Sequence, residues 1–471
     1  MINKKEGIIL ANTQDKSYFN QKLIAPMILG SILNPINSSI ISVALIPIGK
    51  AFGVSPLQTA WLISALYVAT ALGQPVVGKL IDLYGPRLLF LIATSLVGLS
   101  SFIAIFTPDF WWLVVARVLL GLGTCAGYPA SMYLIRSEAE RTGKDSPAKI
   151  LTSLAIANQT IAVIGPTLGG LLIGLGGWQS IFIVNIPLSL ACMILGYTRF
   201  PKASSIPFGL EKRNISIDIT GIIFFGMTLI STLLFLMSPS LNSSYLILIS
   251  IITGILFIII ELRSKDPFID VRVFKGNSPL LFTYARSLLT ATLTYCMLYG
   301  LPQWLEQGRG FSPSQTGLVL MPMFLMSIVL SKLTGKSPFI RSKLVVGGII
   351  QLLAILLLLF INKDSSLAFL LVIVSLLGIP QGLLNLANQN AVYFQANKSQ
   401  IGASSGLLRT FMYMGAMLAS AGNGLFLKSN SITTGMHQIA IFGAGIGIVL
   451  LIITLVGLKG VQEEKRVVGI N

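Results

Sequence analysis

The sequence predicts an all-α integral membrane protein: about 14 transmembrane helices, built as two six-helix bundles with a helix pair inserted between them. Three observations carry that expectation. The chain of 471 residues is 54% hydrophobic and only 10% charged, with a mean hydropathy of +0.82, whereas an ordinary soluble domain carries about 25% charged residues. Its apolar residues fall into runs of about 20, the length that crosses a bilayer core about 30 Å thick. The first half of the chain also recurs, in register, in the second.

Taken in order, the runs centre near Ile36, Tyr67, Val97, Gly121, Ile161, Pro187, Thr228, Gly254, Leu289, Met323, Ala354, Val374, Tyr413 and Gly447. The polar opening, Met1 to Lys22, contains no apolar stretch of the signal-peptide kind, so the first run is expected to act as an uncleaved signal. Charge sets the orientation. About 26 Lys and Arg fall in the termini and alternate loops of one side and about 4 on the other, which places the richer side and both termini in the cytoplasm. The expected location is therefore the plasma (cytoplasmic or inner) membrane. Trp111, Trp178 and Trp304 mark the opposite ends of the runs, as an interfacial aromatic belt does.

The repeat fixes the architecture. "SPLQT" at Ser55 to Thr59 precedes span two, and "SPSQT" at Ser312 to Thr316 precedes span ten. Each leads through a run of equal length to "GK", at Gly78 and at Gly335, and in the same register "LLG" at Leu119 to Gly121 matches "LLG" at Leu376 to Gly378. A parallel duplication of a six-helix unit explains these matches. It predicts a first bundle over 1–205, an inserted pair over 206–275 and a second bundle over 276–471.

Several function classes are excluded. The net charge of +17 is dispersed in small groups between apolar runs, not gathered on one face, so nucleic acid is not a partner. "TGKS" at Thr334 to Ser337 lacks the leading glycine of a phosphate loop, and the chain is not expected to use ATP. His437, the single histidine, is placed in an outer loop and can build neither a catalytic triad nor a multi-histidine metal site. The three cysteines lie inside apolar runs and imply no disulfide framework. No enzyme chemistry, cofactor or metal is called for, and the partners are the lipid bilayer and a small solute.

Five motifs in order give a resemblance. Gly78, Leu80, Asp82, Gly85 and Arg87 fit Gly-x-Leu-x-Asp-x-x-Gly-x-Arg between spans two and three, and Arg117 precedes Gly121 and Gly123 in span four. "GPTLGG" at Gly165 to Gly170 follows in span five, then "WQSIFIVNIP" at Trp178 to Pro187, then "DITG" from Asp218 with "DPFIDVRVF" from Asp266 around the extra pair. Over nearly its whole length the chain resembles the major facilitator superfamily, and more narrowly its 14-span drug:proton antiporters. The resemblance implies alternating access by a monomer and a conformational latch in the cytoplasmic loop made by Gly78, Asp82, Gly85 and Arg87; the other reading of that loop is a solvated turn that sets topology. It makes the bend at Gly165, Pro166, Gly169 and Gly170 a mark of exporters, where physics alone reads a tight helix crossing.

The candidate solute site follows from polar residues at membrane depth, which face protein or water and not lipid. Ser31, Asn34, Ser38 and Ser42 share one face of span one, with Asn37 beside them. Tyr128 and Ser131 in span four, Gln159 in span five, and Asn385, Asn388 and Gln389 in span twelve complete a wet cavity; the other reading of each is an interhelical hydrogen bond. Asn37 stands where the resembled antiporters place an acid. No Asp or Glu lies mid-span, and a coupling proton is left with helix-end acids such as Glu306. Arg117, Arg286 and Arg409 do lie within spans, either facing the cavity and favouring anionic or zwitterionic solutes or snorkelling to the interface. The expected function is a secondary exporter of small organic solutes or drugs driven by protons. The alternative is a facilitator or uptake system for an anionic or zwitterionic metabolite.

Overall fold

The computed structural model of the chain describes residues 19–142, 148–201, 218–237, 239–265, 267–274, 276–334, 339–395, 401–428 and 431–458. The structure is helical throughout these segments. The first stretch holds α1 (Ile24–Ile40) and α2 (Leu45–Phe52) joined by a tight helical turn over Ile41–Val43, α3 (Pro56–Tyr84), α4 (Pro86–Ile105), then α5 (Phe110–Gly123) and α6 (Gly127–Thr142). It continues with α7 (Ala148–Gly176), the short α8 (Ser180–Ile183) and α9 (Asn185–Arg199). A pair, α10 (Ile219–Met237) and α11 (Ser244–Arg263), follows. The last stretch holds α12 (Ser278–Arg309), α13 (Pro313–Thr334), α14 (Ile340–Leu357), α15 (Leu367–Gln395), α16 (Ile401–Phe426) and α17 (Ile432–Gly457).

The repeated "SP-Q" sequence is a pair of helix starts. Ser55 accepts from the Gln58 backbone N–H at 3.4 Å while Gln58 Oε1 accepts from the Ser55 N–H at 2.9 Å. Ser312 and Gln315 make the same exchange at 3.2 and 2.9 Å. Serine at the cap, proline at the first helical position and glutamine at the third satisfy backbone donors that a helix start leaves without an intrahelical partner. The "LLG" match is equally physical. A Cβ on Gly121 would lie 2.6 Å from Leu66 O on α3, and one on Gly378 would lie 2.0 Å from Met323 O on α13. Leu66 and Met323 stand in the same register as the two glycines, so the same backbone-to-backbone crossing occurs in both repeats.

Packing follows from these crossings. α1 lies against α6 and α7, α3 against α5, and α4 against α5 and α9; in the second stretch α12 lies against α15, α16 and α17, and α13 and α14 against α15. Across the middle, α7 packs on α13 and α3 packs on α16. α10 and α11 pack on each other, and α10 also touches α3 and α16. α11 turns Leu248, Ile251, Ile255 and Leu262 outward, an apolar face suited to lipid.

Among the described residues, 11 helical segments are long and apolar enough to cross a membrane. The shortfall from the expected count falls on α7, α12 and α16. α7 contributes only the shorter apolar piece Ile164–Gly176. α12 is 32 residues long but is buried without interruption from Cys296 to Leu305, and a helix whose neighbours are protein can carry Arg286, Gln303 and Glu306 where a lipid-facing one cannot. One position differs from expectation: His437 lies within α17, its Nε2 2.8 Å from Ile361 O, because the helix begins at Ile432 and takes in residues read as loop.

Alanine at Gly121 or Gly378 must part a helix pair, at a cost of about 1–3 kcal/mol. Each variant should unfold at a lower temperature than the parent in detergent, followed by intrinsic fluorescence. Alanine at Gly445, where an added Cβ meets nothing within 4 Å, should leave the midpoint unchanged or slightly raised.

Candidate functional site

The seam between helices α1–α9 and helices α12–α17 is closed by hydroxyls. Ser420 Oγ on α16 donates to Ala60 O on α3 at 2.9 Å, and Ser64 Oγ donates to Ser420 Oγ at 3.2 Å. On the other side of the bundle Thr167 Oγ1 on α7 donates to Gly317 O on α13 at 2.9 Å, and Ser314 Oγ donates to Gly170 O at 2.7 Å. Ala60 and Gly317 are equivalent positions of the repeat, so the same carbonyl receives a tie in each half. These contacts involve the first turns of α3 and α13 and the last turns of α7 and α16, and so gather toward one end.

Beneath the seam lies a cluster of tyrosines. Tyr67, roughly 17 Å along α3 from Pro56, shares a 2.9 Å hydrogen bond with the Tyr299 hydroxyl, and Tyr299 donates to Ser38 O at 3.1 Å. Tyr295 stacks on Tyr299 with centroids 5.6 Å apart, Tyr67 meets Tyr295 edge-on at 5.4 Å, and Tyr413 stacks on Tyr67 at 5.5 Å. Sequence reasoning missed Tyr67, Tyr295, Tyr299 and Tyr413 as site residues. The available signal was Tyr295 and Tyr299 one helical turn apart in a span that also carries arginine and glutamine.

The polar stripe of span one is largely engaged within the first half. Ser31 and Ser131 hydroxyls meet at 3.2 Å, and Ser131 also donates to Gly127 O at 2.7 Å. Asn34 donates to Thr124 Oγ1 at 3.0 Å, and Ser38 donates to Asn34 O at 2.9 Å. Asn37 and Asn185 exchange amide hydrogen bonds of 2.8 Å each way, and Asn37 is only 2% exposed. A neutral amide pair satisfies itself there, where a carboxylate would need a proton or a cation. Gly165 lies against Ser39, Gly169 against Ile40 O, and Gly170 against Pro313 O, so with Pro166 the "GPTLGG" segment brings α7 against both α1 and α13.

The three mid-span arginines differ. Arg117 is 1% exposed, donating from Nε to Leu62 O at 2.7 Å and from Nη1 to Asn37 O at 3.3 Å. Arg286 is buried, donating to Thr283 Oγ1 at 2.6 Å and from Nε to Asn388 Oδ1 at 3.3 Å, while its Nη1 has no hydrogen-bond partner. Arg409 is half-buried and lies flat over the Tyr128 ring, its Cζ 3.6 Å from the centroid. Asn385 is half-buried and Gln389 exposed on α15. Glu306 near the end of α12 is half-buried, and its Oε1 has no hydrogen-bond partner.

The loop between α3 and α4 is seen in part. Gly78 and Gly85 lie at the end of α3, and Arg87 stands 4.6 Å over the Tyr197 ring on α9. The side chains of Asp82 and Gln159, and the residues Gly335, Lys336 and Asp266, lie outside the described residues. Among the described residues, no group of three His, Cys, Asp or Glu could hold a metal ion.

Comparison with known proteins agrees with this architecture. The Major Facilitator Superfamily profile matches residues 27–420. The uncharacterized MFS-type transporter YwoD of Bacillus subtilis (strain 168) is 38% identical over 403 residues, which cover 83% of this chain and 86% of that protein. The multidrug resistance protein Stp of Mycobacterium tuberculosis (strain CDC 1551 / Oshkosh) is 26% identical over 411 residues, 83% of this chain and 73% of its own. A solved structure of proton dependent oligopeptide transporters shares the fold at a TM-score of 0.66 and 12% identity, over 93% of this chain and 98% of that one. The chain belongs to the major facilitator superfamily and is a multi-pass secondary transporter of small solutes, not an enzyme.

Proposed function

We propose that this transporter exports small organic solutes by alternating access across the plasma membrane, with proton entry driving the cycle. The observation that carries the reading is the seam: the ties of Ser420, Ser64, Thr167, Ser314 and Tyr299 gather toward one end, while half-buried Arg409 and Tyr128 meet farther along. A bundle pair held at one end by a few neutral hydrogen bonds, each worth about 0.5–1.5 kcal/mol, can exchange that closure for one at the other end. The relative named for multidrug resistance supports export of organic compounds.

In this reading the chain crosses the membrane 14 times. α7, α12 and α16 are the protein-lined spans, 1–205 and 276–471 are the rocking bundles, 206–275 carries the peripheral pair, and both termini are cytoplasmic. Asp82, with Gly78, Gly85 and Arg87, latches the cytoplasmic closure. Glu306 carries the proton, as a half-buried carboxyl with an oxygen free to hold it. A second reading, a facilitator or uptake system for anions, draws on the mid-span charges being arginines alone.

Reporters fused after Pro201, Phe274 and Lys459 should report cytoplasm and one after Met237 the outside; an outside signal at Phe274 would remove the inserted pair. Spin labels at the exposed Phe106 and Phe360 should show an added longer distance in Tyr299→Phe, which loses the bonds to Tyr67 and Ser38; an unchanged distribution would mean that the tyrosine tie does not set the closure. In proteoliposomes, wild type should accumulate a member of a cationic, neutral and anionic dye panel against its gradient when a pH gradient is imposed. Glu306→Gln should abolish the accumulation while sparing downhill exchange. Downhill flux alone in wild type would favour the facilitator, and no flux under any condition would defeat both readings.

A further inference from the structure

Arg409 differs from the two other mid-span arginines. Arg117 is occupied by the carbonyls of Leu62 and Asn37, and Arg286 is enclosed with Thr283 and Asn388. Arg409 is half-buried, roughly 12 Å from the Ile401 end of α16 and roughly 26 Å from the Phe426 end, just beyond the tyrosine cluster from the seam. Its neighbour is aromatic: the Tyr128 ring lies 3.6 Å below the guanidinium. Among the described residues, the ion pairs are Arg141 with Glu138 and Arg272 with Asp270, and neither involves Arg409. A guanidinium inside a membrane protein without an acidic neighbour leaves its charge to be balanced by what binds.

The surroundings define the shape of that ligand. Tyr128 belongs to α6 and Arg409 to α16, so the contact bridges the two repeats. Tyr413, one turn from Arg409, carries the aromatic face on through Tyr67 to Tyr295 and Tyr299. Flat rings recognise flat rings by offset or edge contact, and the planar guanidinium fork matches a carboxylate or sulfonate through two parallel N–H bonds. We propose that Arg409, Tyr128 and Tyr413 form the solute-binding site for a planar aromatic anion, with the Tyr128 ring orienting the guanidinium; this rests on the reading of the chain as a transporter of organic solutes. An aromatic cation would meet the same rings but would be repelled by the fixed charge.

The test uses the full chain with fluorescein as a planar anion and ethidium as a planar cation, in two measurements: fluorescein anisotropy with purified protein in detergent, and flux in proteoliposomes. Wild type should bind fluorescein and prefer it to ethidium in flux. Arg409→Gln should weaken fluorescein binding at least tenfold and leave ethidium flux unchanged or raised, with Arg409→Lys intermediate. Tyr128→Leu, which keeps the charge but removes the ring, should raise the fluorescein Kd several-fold without inverting the preference. Each variant is compared at equal thermal stability; if Arg409→Gln misfolds, the Arg409→Lys and Tyr128→Leu pair decides. Binding lost in Arg409→Gln without flux of either dye in wild type would uphold the site and defeat the transport reading. Ethidium flux that exceeds fluorescein flux and ignores both positions would uphold transport and overturn the site, as would wild type that binds no fluorescein.

Discussion

A hydroxyl or amide placed in hydrocarbon has no water to bond, so its partner must be another part of the protein. That constraint organises this molecule. Ser31 with Ser131, Asn34 with Thr124 and Asn37 with Asn185 pull α1 onto the helices around it. Thr228 with Thr253 and Thr232 with Ser250 join α10 to α11 in the same way. Each tie is worth about 0.6–2 kcal/mol, less than a soluble core gains from one large side chain, and glycine crossings such as Gly378 against Met323 O let the backbones come close enough for the ties to form. A seam assembled from such small increments is stable enough to persist and weak enough to exchange.

The fold was legible because its signals are local or repeated. "SP-Q" and "LLG" are short, yet each has one physical reading, a capped helix start and a close crossing, and the structure places each reading in both halves. The number of crossings was harder to read. Hydropathy reports contact with lipid, and α12 has little of it: buried from Cys296 to Leu305, it tolerates a sequence that a peripheral helix such as α11 could not.

The site was legible only in outline, since a residue's depth can be read from sequence but its rotation about the helix axis cannot. Arg117, Arg286 and Arg409 each sit within a helix, about two turns from one of its ends. Packing alone turns the first onto backbone carbonyls, encloses the second with Thr283 and Asn388, and leaves the third half-buried between the repeats. The polar stripe suffered the same ambiguity, and Asn34, Asn37 and Ser131 became ties. Tyr67, Tyr295, Tyr299 and Tyr413 escaped notice because aromatic residues at helical spacing are ordinarily core, and nothing local separates a ring that fills space from one whose hydroxyl bridges two bundles.

The make-up of the seam has a consequence for the conditions under which the protein works. Ser64, Ser314, Ser420, Thr167, Tyr67 and Tyr299 carry no net charge, and their acceptors are hydroxyls or backbone carbonyls. A closure made of ion pairs weakens as dissolved electrolyte shortens the Debye length from about 30 Å at 0.01 M to about 8 Å at 0.15 M. Neutral hydrogen bonds feel almost none of that screening. This closure is thereby insulated from the salinity of the medium it faces.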